Sequence, residues 1–287
     1  MTQEKNKVLG STLYLVGTPI GNLADMSERA KKVISEVDFV AAEDTRNSMK
    51  LLQVFGIKKE MVSYHEHNKM ASGERIVARL LAGESCALIT DAGMPAISDP
   101  GEDLVKLCAE AGVTVSVVPG PSAVVSALAL SALSTRRFAF EGFLPPQKGD
   151  RKKRLEAVMY DDRTLVFYEA PHKLRATLAD MTECFGTDRK ISLCRELTKL
   201  NEEIARLSLG EAVKYYENNE PRGEYVLVIE GFCGKAPDAG EDLTILSPEE
   251  HVARYEAEGM KRMDAIKKAA KDRGMSKSDL YKLLIEE

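Results

Sequence analysis

Asp91-Ala92-Gly93-Met94-Pro95-Ala96-Ile97-Ser98-Asp99-Pro100-Gly101 is the stretch on which the fold turns. It leaves an apolar run, Ala87 to Thr90, that reads as a strand, and enters a helical pattern from Pro100 to Ala111. Asp99 is expected to cap that helix, Pro100 suits its first turn, Glu102 stands at the third position and Gly112 ends it. Two glycines and two prolines hold the intervening backbone on an irregular, rigid path. A bend of this kind at the carboxyl end of a parallel strand is where open α/β sheets bind ligands. Its carbonyls and carboxylates favour a ligand with N–H or hydroxyl donors and positive charge, although a plain turn would use the same residues.

Working outward, strand-like runs at Leu13 to Val16, Phe39 to Ala42, Met61 to Tyr64 and Val113 to Val118 alternate with helical segments such as Ser27 to Val37 and Glu74 to Ala82. Strands separated by helices imply right-handed crossovers and a mostly parallel sheet. Two more bends follow strands in the same way. Gly17-Thr18-Pro19-Ile20-Gly21-Asn22 is neither G-x-G-x-x-G nor a P-loop, and Pro19 removes a backbone donor that a phosphate cradle needs. It suits a ligand without a pyrophosphate, or a tight turn alone. Pro119-Gly120-Pro121-Ser122-Ala123 places Ser122 at a helix start beside the first two bends.

Beyond Pro121 the texture changes. A helix near Leu155 to Tyr160, a strand at Thr164 to Tyr168 and a helix at Lys173 to Phe185 precede strands at Ile191 to Arg195, Ile204 to Leu207 and Tyr225 to Ile229. Strands without a full helix between them suggest a mixed sheet. A Gly-, Pro- and Asp-rich stretch reads as a linker, and a purely helical segment follows, opened by Ser247-Pro248-Glu249-Glu250. The expected organisation is an α/β chain with a parallel-sheet N-terminal domain at 1–119 and a mixed-sheet domain at 120–232. A linker at 233–246 and a small helical extension at 247–287 complete it.

Composition narrows the function. At 287 residues, 44% apolar and 30% charged, the chain can fill more than one core and is not disordered. A net charge of −5 excludes a uniformly basic surface. Charge is segregated, however: Val252 to Lys282 carries 9 Lys or Arg against 5 Asp or Glu, and Asn201 to His251 carries 4 against 12. Two local patches suit phosphate contacts: Lys148, Arg151, Lys152, Lys153 and Arg154, joined by Arg136 and Arg137, and the tail's Lys261, Arg262, Lys267, Lys268 and Lys271. The five cysteines form no C-x-x-C pair, so neither a zinc ribbon nor a disulfide framework is expected. The start, MTQEKNKVLGSTLYLVG, has no secretory pattern, and the uncharged stretch Val113 to Leu133 is interrupted by Pro-Gly-Pro. A reduced, soluble, cytoplasmic protein is expected.

The blocks VGTPIGNLADMSERA, AAEDTRNS, SYHEHN, ITDAGMPAISDPG, VPGPSAVVSALALS, FEGFLP, FYEAPHKL, CRELTK and RGEYVLVIEG, in that order from about Thr12 to Gly231, closely resemble the ribosomal RNA small-subunit methyltransferase I family. These are cytidine 2′-O-methyltransferases of 16S rRNA, acting in the decoding region, within the tetrapyrrole-methylase superfamily. The resemblance implies two α/β domains with S-adenosylmethionine in the cleft between them, a small ribosomal subunit as partner, and a homodimer. By position it implies that Ile20, Asp91, Gly93, Ile97, Ser122 and Ala123 border the cofactor, with Tyr168, Leu197 and Tyr225 enclosing the adenosine from the second domain. Methyl transfer to a hydroxyl needs a base or a charge. Strand-end placement offers Glu43 or Asp44 as base, with Lys199 or Arg46 stabilising charge. His65, His67, Glu169, His172, Arg195 and Glu196 are further candidates, and no metal site is expected from so few histidines. Methylation of a small tetrapyrrole-like molecule, or a non-catalytic cofactor-binding module of ribosome assembly, would use the same fold.

Overall fold

The computed structural model describes residues 7–234 and 243–284. Most of the expected linker, 235–242, lies outside the described residues, as do 1–6 and the end of the expected helical extension, 285–287. The chain divides into two compact units, Met1–Cys233 and Gly234–Glu287.

The first unit is built on two five-stranded sheets. The first runs β3 (Glu60–Ser63), β2 (Phe39–Ala42), β4 (Ser85–Ile89), β1 (Thr12–Val16), β5 (Thr114–Val118), every pair parallel. Strands such as LYLV, FVAA and CALI are buried on both faces and therefore read as unbroken apolar runs. Leu13 faces one layer of helices and Tyr14 the other. On the Tyr14 side lie α1 (Glu28–Glu36) and α2 (Thr45–Val54); on the Leu13 side lie α3 (Lys69–Leu81) and α4 (Gly101–Glu110). Because β1 sits between β4 and β5, the strand order reverses beside it, and the bends after β1, β4 and β5 emerge together at the carboxyl edge. That is the crevice where sheets of this kind hold ligands.

The second sheet is mixed: β6 (Phe138–Phe143), β7 (Thr164–Glu169), β10 (Tyr225–Ile229), β8 (Lys190–Arg195), β9 (Glu203–Ser208). Only the β6–β7 pair is parallel. One face packs on α6 (Lys148–Val158), α7 (Pro171–Phe185) and α8 (Leu209–Asn218). The other packs on α5 (Ala123–Leu130), through Val124, Ala127 and Leu128 against Val166, Cys194, Val226 and Val228.

Two elements depart from the sequence reading. Strand β6 was not anticipated, because Glu141-Gly142 breaks its apolar pattern; Gly142 has φ +66° and the pairing with β7 slips there as a bulge. Helix α6 begins at Lys148 rather than Leu155, so the basic run is helical. This removes Arg151 from the expected cationic patch, while Lys148, Lys153 and Arg154 stay exposed on the helix. Arg151 is buried, its guanidinium donating to the equally buried Asp180 at 2.6 and 2.7 Å and to the Pro146 carbonyl at 3.1 Å. Lys152 pairs with Glu183 and Arg154 with Glu141.

The second unit contains α9 (Pro248–Ala257), α10 (Arg262–Asp272) and α11 (Lys277–Leu283). The expected capping box at Ser247 and Glu250 is present, and Ser276 caps α11. Val252, Tyr255, Ile266, Ala269 and Leu280 form its core. Among the described residues, no helix is long and apolar enough to cross a membrane.

Candidate active site

The three bends of the first sheet are locked to one another by backbone. Thr18 and Gly93 exchange N–H···O bonds of 2.9 and 3.2 Å, and the Thr18 hydroxyl donates to the Thr90 carbonyl at 3.1 Å. Gly17 and Gly120 pack Cα against Cα: a Cβ on Gly120 would lie 2.8 Å from the Gly17 Cα and 2.9 Å from its carbonyl carbon. Backbone cannot yield as a side chain does. Gly120→Ala is therefore expected to destabilise the unit by about 1–3 kcal/mol, read as a lower urea midpoint. Helix α4 starts at Gly101 with Pro100 at its N-cap, so Asp99 stands one residue before the expected cap position and instead braces the bend after β4. Its carboxylate accepts from the N–H groups of Gly101, Ala96 and Ile97 at 2.7, 3.1 and 3.1 Å. This compensates the positive φ of Ala96 and Ser98, a costly conformation for non-glycine residues.

From the second sheet, the segment Glu196–Lys199 reaches the first bend. A Cβ on Gly21 would lie 2.5 Å from the Lys199 Cγ and 2.9 Å from the Leu197 carbonyl, so only glycine admits this approach. Lys199 donates at 2.8 Å to both Glu196 and Glu224. Desolvation opposes its charge, but the bonds to these two carboxylates outweigh it and raise the pKa. Tyr168 stands between Phe140 and Phe143, with ring centroids 4.9 and 5.3 Å away.

Between these walls lies a cavity of about 620 Å³, the size of a small-molecule site. Ile20, Asp91, Gly93, Ile97, Ser122, Ala123, Tyr168, Leu197 and Tyr225 all line it. Leu197 and Tyr225 are almost wholly buried and meet it with little side-chain surface. Phe143, Glu224 and Met94 line it too and were not singled out from sequence. Phe143 went unseen because its strand did, although it falls in the FEGFLP block.

Of the expected catalytic group, Glu43 and Lys199 line the cavity, whereas Asp44 and Arg46 do not. Asp44 is the N-cap of α2, accepting from the N–H groups of Arg46 at 2.9 Å and Asn47 at 3.4 Å. Those backbone bonds lower its pKa, which makes it a weak base. The Arg46 side chain is 85% exposed and lies 3.5 Å from Asp44. Glu43 differs. No hydrogen bond or ion pair holds its carboxylate among the described residues, and its pKa is raised by desolvation and then by the charges of Asp91 and Asp99. Glu169 also reaches the cavity, but its carboxylate is engaged by the Thr177 hydroxyl and the Ala170 N–H. His65 and His67 lie outside the lining, their rings 6.0 Å apart.

Residues 12–213 match the family model of the Tetrapyrrole (Corrin/Porphyrin) Methylases. Over 276 residues the chain is 47% identical to the ribosomal RNA small subunit methyltransferase I of Halalkalibacterium halodurans, covering 96% of this chain and 95% of that one. The chain belongs to the tetrapyrrole methylase family. The protein of the same name from Bacillus subtilis is 45% identical over 270 residues, 94% of this chain and 92% of that one. Among solved tetrapyrrole methylases, the fold is shared with uroporphyrin-III C-methyltransferase from Thermus thermophilus complexed with S-adenosylhomocysteine. The TM-score is 0.56 at 18% identity, covering 76% of this chain and 97% of that one.

Proposed function

We propose that this chain methylates ribosomal RNA of the small subunit, moving a methyl group from S-adenosylmethionine to the ribose 2′-hydroxyl of a cytidine in the decoding region. The observation that carries the reading is the unengaged carboxylate of Glu43 on the wall of a cavity that otherwise keeps its acids occupied. The names of the relatives support the RNA substrate. The donor set fits the cofactor. A sulfonium and an α-amino group suit carboxylates and turn carbonyls, an adenine suits the apolar wall of Ile20, Ile97 and Leu197, and the absence of phosphate suits a proline-containing bend. When bound, the cofactor supplies an activated methyl group.

The chain's own residues then have separate tasks. The Gly–Pro bends hold the reactants in line, since orientation supplies much of the barrier lowering in such a transfer. Glu43 accepts the hydroxyl proton as the carbon–oxygen bond forms. A raised pKa makes it a stronger base than an ordinary carboxylate. Lys199, committed to Glu196 and Glu224, is a positioning residue that ties the second sheet to the Gly21 bend. The protonated carboxyl cannot accept a proton, so turnover is expected to fall as pH drops through the Glu43 pKa. The inflection should lie above the usual carboxylate range, and a pH profile of kcat/KM checks it. We carry a cytoplasmic setting and a homodimer within this reading; exposed Val117, Val125 and Leu130 on β5 and α5 support the second copy.

The test is incubation with methyl-labelled S-adenosylmethionine and small ribosomal subunits from a strain lacking the enzyme. Label in one 2′-O-methylcytidine after nuclease digestion is the expected outcome. Label on a base, or only on an added porphyrinoid, overturns the reading.

A further inference from the structure

A second, smaller pocket of about 190 Å³ lies against the first bend and shares Thr90 and Asp91 with the large cavity. Its walls are Pro19, Gly21, Leu23 and Leu51, and its polar lining comes from Asn47 and Ser48 in the first turns of α2. Two features mark it as built for a ligand. Ser48 is 2% exposed, and its hydroxyl has no hydrogen-bond partner. A helical serine can ordinarily donate back to the carbonyl four residues earlier, here Asp44, and this one does not. A buried polar group without a partner is costly enough that native structures seldom keep one without cause. The other feature is Asn47, whose amide nitrogen donates to the Asp91 carboxylate at 3.4 Å. A carboxylate accepts only, so this bond makes the nitrogen the end directed at Asp91 and leaves the carbonyl oxygen as the amide's remaining acceptor.

We propose that this pocket receives the base of the target nucleotide and selects cytosine over uracil. The inference rests on the reading of the reaction given above and deepens it. With the base between Leu23 and Leu51, the sugar falls at Asp91, where the two cavities meet, and the methyl donor occupies the larger one. That junction explains why a ribose hydroxyl, rather than a ring atom, is the group presented for transfer. The Asn47 carbonyl oxygen accepts from the exocyclic amine of cytosine, and the Ser48 hydroxyl bonds a ring acceptor. Uracil carries a carbonyl oxygen where cytosine carries the amine, and it would face the Asn47 oxygen acceptor to acceptor.

Asn47→Ala and Ser48→Ala test this. Asn47 is exposed and Ser48→Ala removes an unbonded hydroxyl, so both variants should fold. Each is expected to raise KM for small subunits about tenfold, and for Ser48→Ala, whose hydroxyl holds no group of the larger cavity, calorimetry with S-adenosylhomocysteine gives an unchanged dissociation constant. Against subunits carrying uridine at the target position, the unsubstituted protein should lose on the order of 10² in kcat/KM or more, and Asn47→Ala should lose most of that discrimination. Unchanged KM and unchanged discrimination in both variants would overturn the pocket's role while leaving the methyl-transfer reading intact. Failure of the unsubstituted protein to methylate cytidine subunits would remove that reading itself, and the pocket's assignment with it.

Discussion

Glu43→Gln is expected to lower kcat for methyl transfer by about 10² to 10⁴, the usual contribution of a positioned general base. The substitution keeps the shape and removes the basic oxygen. The neighbouring Asp44 provides the internal control, because the two acids differ only by one position in sequence and yet face opposite duties. Asp44 spends its carboxylate on the N–H groups of Arg46 and Asn47, which hold its pKa low. No hydrogen bond among the described residues holds Glu43, and desolvation with Asp91 and Asp99 nearby raises its pKa. Asp44→Asn, which retains a capping oxygen, should therefore keep turnover within a few-fold. Affinity for S-adenosylhomocysteine should survive in both variants, so that the loss at Glu43 appears in turnover alone. Single-turnover rates separate the step from product release. Near-full turnover in Glu43→Gln would end its role as base, and a matching loss in Asp44→Asn would point to the helix rather than the proton.

Asp180→Ala is expected to destabilise the first unit by about 3–5 kcal/mol, because it strands a buried guanidinium rather than merely deleting an ion pair. Arg151 and Asp180 are 7% and 4% exposed, and the three bonds to Arg151 leave it little access to water. The urea midpoint should drop steeply. Arg151→Met combined with Asp180→Leu should recover most of the loss, since apolar replacement of a whole buried pair is often neutral. A small effect from Asp180→Ala would mean that water or another carbonyl reaches Arg151. The same variant bears on RNA contact: a residue counted from sequence as a phosphate ligand is here a strut between α6 and α7.

What was readable beforehand, and what was not, follows physical lines. Strands buried on both faces announce themselves as apolar runs, and the bends after β1, β4 and β5 announce themselves through Gly and Pro. These local signals were enough to anticipate a parallel first sheet and the bends that wall the cavity. Strand β6 was hidden because a bulge at Gly142 carries its register past a charged residue. The fate of Arg151 was hidden because nothing in a run of five cations tells which one turns inward. The division of labour between Glu43 and Asp44 was hidden for a similar reason: it depends on where the strand stops and the helix cap begins. The small pocket beside α2 was invisible, since it exists only through the meeting of residues 19–23 with 47–51.

The placement of β10 has a consequence for biogenesis. It is the last strand of its sheet in sequence and yet lies between β7 and β8, which stay unbridged until Tyr225–Ile229 have been translated and freed from the exit tunnel. Until then both present open edges, the state most exposed to wrong pairing. Tyr225 and Val226 also line the cavity, so its wall is complete only once β10 has joined the sheet.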